Sequence, residues 1–435
     1  MNGFKNYITL LFFLVAISNG IAQDSLNSAS VEQKSYQLYV DKNWSELIKF
    51  GNIAIHNGFD YYYLQLRVGI AYYEKKNYSL AESHFKSALK FNTDDELSLE
   101  YLYYCYLFNG RNEDARMLSK QFNPSLADKI GTSTQSKIGF ILIEGGTKIT
   151  DSIEYYNKGK NRKPNYFKPP AYFQIGLNHY INNRISLFHA ATYFNQETFL
   201  GKTTQLQYFI KTTIPVKNNW LIAPSVHVVN TKNTFMSVAT STMFAPYPGG
   251  GPPPPGSPPP PVITKTTAVN ETKKATYYVG SLAAQKIIKK FTFGIGSTVS
   301  NIADKTQFIN SAFVSYAVLG NSKLVLGCGG YVHTKDNYKI SYAAATPFIY
   351  VQPTKRLSMK LSYLMNSGAN IIEDNGYLVN NSADLTLSRY SALLNLTLNK
   401  HLSLYGLYQL EYKHEAVQSF NYRYNVIVAG LKITP

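Results

Sequence analysis

Two hydrophobic periods follow one another along this chain. Between residues 31 and 122 the apolar positions recur at helical spacing, whereas from residue 137 to 434 they alternate with polar positions. The change follows Asn123-Pro124, a pair that interrupts the helical pattern. The pattern therefore predicts an α+β multidomain chain, with a short all-α domain at residues 23–125, a linker at 126–136 and an antiparallel β domain at 137–435.

The alternating stretches have one apolar and one polar face. In residues 205–214, Leu206 and Tyr208 share one face, and Gln207 and Lys211 share the other. The same alternation runs through residues 356–366, 390–398 and 402–412. Strands of this kind fit either a soluble antiparallel sheet or a β-barrel in lipid.

The connections between the strands favour the barrel. We count about fourteen strands, in which short turns alternate with connections that are usually longer, as in outer-membrane barrels. The short turns are Asn182-Asn183, 217–219, Lys289-Lys290, 320–322, Pro353-Thr354 and Asn399-Lys400. The longer connections are 150–167, 196–202, 230–274, 301–305, 334–337, 367–384 and 413–417. An even strand number places both barrel ends on the short-turn, periplasmic side, so we expect the helical domain in the periplasm. A soluble β-sandwich or propeller is the alternative.

The first residues predict export from the cytoplasm. Lys5 precedes a short apolar run at 7–18, and small residues end at Ala22, so residues 1–22 are interpreted as a signal peptide. The run is too short for a retained membrane helix. We therefore expect the protein in the outer membrane of a Gram-negative cell.

The longest predicted loop, at about 230–274, contains two proline runs, Pro252 to Pro255 and Pro258 to Pro261. Proline cannot donate a ladder hydrogen bond, so we expect polyproline II or disordered chain on the extracellular side. A recognition role is possible for such a segment, and a passive exposed tether is the favoured interpretation.

Composition and charge narrow the partners. The net charge is +17, and behind a signal peptide this favours anionic lipid headgroups or an anionic polymer over nucleic acid. The 36 Tyr and 24 Phe, against 2 Trp, suit the aromatic-rich strands of outer-membrane barrels. Cys105 and Cys328 fall in separate predicted domains, where we favour unpaired, buried residues over a disulfide.

Candidate chemistry is sparse. The 8 His residues are scattered, and His179, which faces His189 across a tight turn, follows the parity of the apolar face. We find no nucleophile elbow, zinc spacing, phosphate-binding glycine loop or calcium loop. We expect no enzyme, no cofactor and no metal site.

Charged residues recur on the polar face of the predicted strands. They are Lys211, Lys360, Arg389, Glu411 and Arg423. If they face the lumen, the interior is net basic and could guide anionic solutes. The alternative, which we favour slightly, is that they pair with other groups and help to close a narrow barrel.

The helical domain carries a repeat of 34 residues. Its central unit places Gly69, Tyr72, Ala81, Phe85 and Ala88 at the small and aromatic positions of a helix pair. A further step of 34 residues from Tyr72 and Ala81 reaches Tyr106 and Ala115. This segment resembles the tetratricopeptide repeat family, and a plain helical bundle is the alternative.

The order of repeats and barrel resembles the YaiO-type outer-membrane proteins and the exopolysaccharide-export porins. The export porins have more repeats and about sixteen strands, so this chain departs from them on both counts. The resemblance implies a non-enzymatic protein in outer-membrane lipid, whose repeats dock periplasmic or outer-membrane protein partners within an export, secretion or assembly complex. The alternative is a porin or exporter for polysaccharide or another anionic solute.

Overall fold

A computed structural model of the chain describes residues 27–133, 136–150, 169–182, 185–198, 201–244, 256, 258–259, 262–335, 340–366, 368–380, 384–415 and 420–435. The described residues form two compact units, a helical one that ends at Ser133 and a β unit that follows it. The predicted signal peptide and its cleavage site lie outside the described residues.

The β unit is a closed antiparallel barrel of fourteen strands, as the alternation and the turn asymmetry predict. The barrel strands are β1 (Ile138–Thr150), β2 (Ala171–Ile181), β3 (Ile185–Thr198), β4 (Gly201–Val216), β5 (Trp220–Phe244), β6 (Val262–Ile288), β7 (Phe291–Ser300), β8 (Gln307–Ala317), β9 (Leu324–Lys335), β10 (Ile340–Val351), β11 (Leu357–Met365), β14 (Leu385–Thr397), β15 (Leu402–Glu415) and β16 (Phe420–Ile433). Two short strands, β12 (Ile371–Glu373) and β13 (Leu378–Asn380), pair only with each other.

Each barrel strand pairs with its neighbours in sequence, and β11 pairs with β14 past the short β12–β13 hairpin. Closure comes from β1 and β16, which pair from Ile141 opposite Ile433 to Thr150 opposite Tyr424. Both ends of the barrel therefore lie at one rim, together with the tight turns such as 217–219 and Lys289-Lys290.

The alternation sorts side chains between the outside of the barrel and its lumen. Leu206, Leu282 and Ile295 are 59%, 57% and 65% exposed on the outer face. Cys328 shares that face with the exposed Leu326 and Val332, so it is unpaired as predicted but is not buried. Among the described residues, no helix is long and apolar enough to cross a bilayer.

Strand pairing continues into the region predicted as the longest loop. β5 and β6 remain paired from Trp220 opposite Lys286 to Phe244 opposite Val262. Pairing with the neighbouring strands ends earlier. β4 pairs with β5 only as far as Gly201 opposite Phe235, and β7 pairs with β6 only as far as Ser300 opposite Val279. The hairpin therefore continues past both neighbours as a two-stranded ribbon, and most of its proline-rich tip at 245–261 lies outside the described residues.

The helical unit consists of α1 (Ser28–Val40), α2 (Trp44–His56), α3 (Tyr62–Glu74), α4 (Tyr78–Phe91), α5 (Glu96–Phe108), α6 (Asn112–Leu118) and α7 (Pro124–Ile130). The first six helices form three consecutive pairs. Equivalent helices of successive pairs begin 34 residues apart. The turn within each pair has a left-handed residue at the equivalent position, Lys42, Lys76 and Gly110, with φ of 54°, 58° and 72°. The helices and their turns therefore recur at the 34-residue interval that the sequence predicts. The linker predicted at 126–136 is helical at its start, because α7 continues to Ile130 and buries Leu126.

The repeat residues pack the interiors of the helix pairs. Phe85 lies against Gly69, where an added Cβ would come within 2.9 Å of the ring. Ala81, Ala88 and Ala115 are fully buried, and so are Phe85 and Leu47. Small residues allow the paired helices to approach closely, and each aromatic ring fills the space that they leave. The six-helix stack thus depends on the residues that the 34-residue period identifies.

One buried ion network joins the second helix pair to the third. Arg111 precedes α6, and its Nη1 lies 2.8 Å from both carboxylate oxygens of Glu82, while its Nε lies 2.9 Å from Asp114 Oδ2. Arg111 takes the place of the helix-capping Asn43 and Asn77 of the first two pairs. Burial alone raises the pKa of Glu82, but Arg111 and Lys86 bring it below the ordinary value of 4.5. The network therefore contributes stability above that value, and the contribution is lost as the pH falls through the lowered pKa.

We expect Arg111→Met to destabilise the helical unit by about 3–5 kcal/mol, because it removes the buried cation that Glu82 and Asp114 share. The chain has 2 Trp, Trp44 in the helical unit and Trp220 in the barrel, so Trp220→Phe makes Trp44 fluorescence a reporter of helical unfolding in urea. Lys129→Met, which breaks an ion pair with Glu100 at an exposed position, is the control and should leave the urea midpoint nearly unchanged. Equal midpoints for the two variants would contradict the structural role of the network.

Candidate functional site in the barrel lumen

The lumen wall is lined by aromatic side chains that lie over glycines of the next strand. Phe313 is paired across strands with Gly294, Phe348 with Gly327, and Tyr405 with Gly430. In each pair the ring occupies the space that a Cβ on the glycine would need. The rings therefore lie against the wall, and the centre of the lumen stays free for another part of the chain.

That part is the connection between β11 and β14. Residues 371–380 form the short hairpin β12–β13, in which Ile371 pairs with Asn380 and Glu373 with Leu378. Its turn contains Asp374, Asn375 and Gly376, all left-handed, with φ of 49°, 56° and 88°. These are the residue types that adopt such a backbone at least cost. We call residues 371–380 the lumen hairpin.

The tip of the lumen hairpin contacts the opposite wall of the barrel. Ser225 Oγ on β5 donates to the Asn375 carbonyl at 2.5 Å, and His227 Nδ1 donates to the Gly376 carbonyl at 2.8 Å. In the order of strands around the barrel, β5 lies six steps from β11 on one side, so the two are nearly diametrically opposed. The lumen hairpin therefore crosses the lumen from wall to wall.

Apolar contacts hold the hairpin along both of its strands. Ile372 joins a buried cluster with Val229, Tyr277 and Val279 of the wall, and with Ile302 of the loop after β7. The Ile302 side chain is fully buried, so this loop also folds inward. Full burial of one aliphatic side chain is worth about 1.5–3 kcal/mol, so this cluster is a substantial part of what holds the hairpin in place.

On the other side of the hairpin, Tyr377 packs against an aromatic wall. Its ring centroid lies 4.9 Å from that of Phe209 and 5.9 Å from that of Phe188. Gln174 donates to the Tyr377 hydroxyl and also to Glu144, at 3.2 Å for the second bond. Glu144 accepts from Tyr172 and Tyr405 as well. This carboxylate is thereby surrounded by donors on β2 and β15.

Beside its turn, the hairpin is also tied by charge to the wall from which it starts. Arg389 Nη2 on β14 lies 2.5 Å from Glu373 Oε2, and its Nη1 lies 3.7 Å from Glu411 Oε1. Glu411 in turn lies 3.6 Å from Lys148 Nζ on β1. We call Glu373, Arg389, Glu411 and Lys148 the hairpin latch. The latch alternates in sign, so each charge has an opposite neighbour.

The predicted lumen charges divide into three groups. Arg389 and Glu411 belong to the hairpin latch. Lys211 and Lys360 line a cavity of about 400 Å³ beside the hairpin tip. Arg423 lies on the outer face, since it shares its parity with the exposed Ile427 and Leu431 of β16. The inward positions of β16 include Val426 and Val428, so polarity alone does not separate the two faces of this strand.

The aromatic repeat residues and the histidine pair predicted from sequence pack against neighbouring side chains. Tyr72 stacks on His84 with ring centroids 5.3 Å apart, and its hydroxyl accepts from Asn52 at 2.8 Å. Tyr106 lies under the Arg111 guanidinium, 4.5 Å from ring centroid to Cζ. His179 and His189 lie on the outer face with ring centroids 5.3 Å apart. In the described part of the chain, no three His, Cys, Asp or Glu side chains are placed to hold a metal ion.

The lumen hairpin was missed at the sequence level, although a signal for it is present. Two short apolar stretches, at 371–372 and 378–379, flank Asp374-Asn375-Gly376, and an Asn-Gly turn between apolar stretches predicts a β-hairpin. Each apolar stretch is only two residues long, so the signal is weak within the predicted connection 367–384. The inward direction depends on contacts with distant strands, which no local pattern contains.

No protein-family model matches this chain, and no curated protein matches it. Among solved structures, a FadL homologue from Pseudomonas aeruginosa is similar at 11% identity and a TM-score of 0.42, covering 68% of this chain and 90% of that one. The toluene transporter TodX from Pseudomonas putida is similar at 8% identity and a TM-score of 0.41, covering 69% of this chain and 90% of that one. Omp33 from Acinetobacter baumannii is similar at 8% identity and a TM-score of 0.36, covering 69% of this chain and 100% of that one. Likenesses this distant assign neither a family nor a substrate.

We expect Arg389→Gln to loosen the lumen hairpin, because it leaves Glu373 and Glu411 without their shared cation. Loss of one partner from a buried pair costs about 3–5 kcal/mol, enough to raise the open fraction by tenfold or more. Asn375→Cys in a Cys328→Ser background reports on the tip through its rate of maleimide labelling, since Cys105 is buried. Arg356→Gln, at an exposed turn, is the matched control. Identical labelling rates for Arg389→Gln and the control would show that the latch does not hold the hairpin.

Proposed function

We propose that this chain is an outer-membrane β-barrel protein of a Gram-negative cell. The barrel leaves large apolar side chains exposed around its outer face, including Leu206, Leu282 and Ile295, which a soluble protein rarely does. Closure pairs the strand edges, which a sheet in lipid requires. Short turns of such barrels face the periplasm. The helical unit precedes β1, which begins at the short-turn rim, so the proposal assigns it to the periplasm.

We infer that the helical unit docks partner proteins and that the barrel is the membrane-held subunit of an export, secretion or assembly complex. The observation that carries this inference is the lumen hairpin, which is fixed to both walls and suits a closed wall better than an open pore. Stacked helix pairs provide an extended surface for peptides and partner proteins. No catalytic role is proposed.

A docking surface is suggested by two exposed tyrosines on neighbouring first helices of the repeat. Tyr36 on α1 and Tyr63 on α3 are 54% and 57% exposed. Both flank Arg67, whose Cζ lies 5.2 Å from the Tyr36 ring centroid and 5.5 Å from that of Tyr63. Glu32 orients this arginine at 2.6 Å. Tyrosine and arginine are the residue types that dominate the centres of protein interfaces.

We expect Tyr36→Ala together with Tyr63→Ala to release a protein that cross-links to the wild-type helical unit in intact cells. The loss should match that of a deletion of residues 31–122, because the tyrosines supply the central contacts. Mass spectrometry of the cross-linked products measures it. Ile53→Ala, at an exposed apolar position on α2, is the control and should retain the partner. An unchanged set of cross-linked proteins in the deletion variant would count decisively against docking.

The second candidate function is a gated conduit for polysaccharide or another anionic solute. It is favoured by Lys211 and Lys360, which line a cavity in the lumen on the short-turn side of the hairpin tip. Basic groups inside a barrel raise the local concentration of anions and favour their passage. This function requires the lumen hairpin to leave its closed position.

Planar-bilayer recordings separate the two functions. Replacement of residues 369–380 by a short Gly-Ser linker should give steady conductance, since it removes the element that crosses the lumen. The wild-type barrel should be silent if it serves as a closed anchor. Discrete openings of the wild type that become more frequent in Glu373→Gln would instead establish the conduit and reject the closed anchor. The conductance of the variant with residues 369–380 replaced confirms, in the same experiment, that inserted protein can be detected.

A further inference from the structure

A cavity lies between the lumen hairpin tip and the short-turn rim of the barrel. It has a volume of about 400 Å³, and Glu373, Asp374 and Asn375 bound it on the side away from that rim. Leu221 at the start of β5 and Phe348 near the end of β10 place it in the half of the lumen next to that rim. A pocket of this size lies within the range of small-molecule sites.

The two lysines of the cavity come from opposite walls. Lys211 on β4 and Lys360 on β11 are seven steps apart in a ring of fourteen strands, which is the largest separation possible. Both belong to the inward parity, Lys211 with the buried Phe209 and Lys360 with the buried Leu364. The cavity therefore has one cation at each end.

These lysines differ from the other lumen cations described above. Lys148 and Arg389 have carboxylates within 4 Å, whereas no described carboxylate lies that close to the ammonium of Lys211 or Lys360. Glu373 is engaged by Arg389, so Asp374 is the cavity-lining carboxylate outside the hairpin latch. Two lysines against one aspartate leave the cavity net positive.

The wall between the lysines is mostly apolar. Passing from β4 to β11, the cavity is lined by Leu221, Ala223, Ala283, Phe313 and Phe348. The two rings are held against the wall over Gly294 and Gly327. The Lys360 ammonium lies 4.8 Å from the Phe348 ring centroid, which directs this cation along the apolar wall. The arrangement is an apolar trough with a cation at either end.

We propose that this cavity is a binding site for a solute with an anionic group at each end and an apolar body between them. Lys211 and Lys360 contact the two anionic groups, and Phe313 and Phe348 contact the body. Entry is from the short-turn rim, because the hairpin closes the other side. The proposal goes beyond the docking role and does not require that the barrel conduct, since the site exists with the hairpin in place.

The test uses the full chain in an uncharged detergent and calorimetric titration with aliphatic α,ω-dicarboxylates of increasing length. We expect binding with an optimum at one chain length, because both charges must reach their lysines. The corresponding monocarboxylates and neutral diamides should bind at least tenfold more weakly, and added salt should weaken the dicarboxylate.

Variants assign the binding to the cavity. Lys211→Gln and Lys360→Gln should each weaken the best dicarboxylate by about tenfold or more, and Lys360→Arg should restore most of the affinity. Lys286→Gln is the matched control, because Lys286 lies on the outer face over Trp220. Folding of every variant is checked by its heat-modifiable mobility on gels.

Absence of binding by any dicarboxylate, or binding that both lysine variants retain, overturns the proposal. If a lysine variant fails to fold, the length optimum and the diamide comparison on the wild type still decide. A silent bilayer recording or a missing cross-linked partner leaves this result untouched, so the site and the proposed functions fail separately.

Discussion

The pairing of β1 with β16 is the constraint on which the rest of the β unit depends. A fourteen-stranded sheet with an apolar face would otherwise present two edges of unpaired N–H and C=O groups. Closure satisfies both edges at once, and it converts the two faces of every strand into an outside and a lumen. It also brings both chain ends of the barrel to one rim. An even strand number, the position of both barrel ends at one rim and the existence of an interior all follow from this one antiparallel pairing.

Closure also leaves space to fill, because the lumen of a fourteen-stranded barrel is too wide for its inward-facing side chains to fill alone. This chain does not fill the space with larger residues. It lays Phe313, Phe348 and Tyr405 flat over glycines and sends the lumen hairpin across the centre. The glycines therefore have a positional reason, since any side chain there would push a ring toward the hairpin. What remains beside the hairpin tip is the cavity between Lys211 and Lys360.

Sequence patterns predicted those parts of the fold that repeat, and missed those that depend on distant contacts. Alternation identified the inward positions of β4, β11, β14 and β15, and the 34-residue period located three helix pairs. It failed for Arg423 because the inward positions of β16 are themselves apolar. It missed the lumen hairpin because Ile372 and Tyr377 are buried against strands far away in sequence. The pairing of the lumen charges also depends on closure. Arg389, Glu411 and Lys148 lie on β14, β15 and β1, which only the closed barrel brings together.

The balance of forces on the lumen hairpin bears on what could move it. Apolar burial of Ile371 and Ile372 contributes about 1.5–3 kcal/mol for each side chain, and the two tip hydrogen bonds add about 1 kcal/mol each. The latch adds little net stability while it is intact, but withdrawal that separates Glu373 from Arg389 leaves a charge without its partner. The closed arrangement is thus favoured by several kcal/mol, so spontaneous opening is rare. A ligand that opens the hairpin must prefer the open form by more than this difference, and a shift from 1:99 to 99:1 already takes about 5.5 kcal/mol. A bound solute beneath the tip contacts the closed form and does not supply that difference, whereas a protein partner with a large interface could.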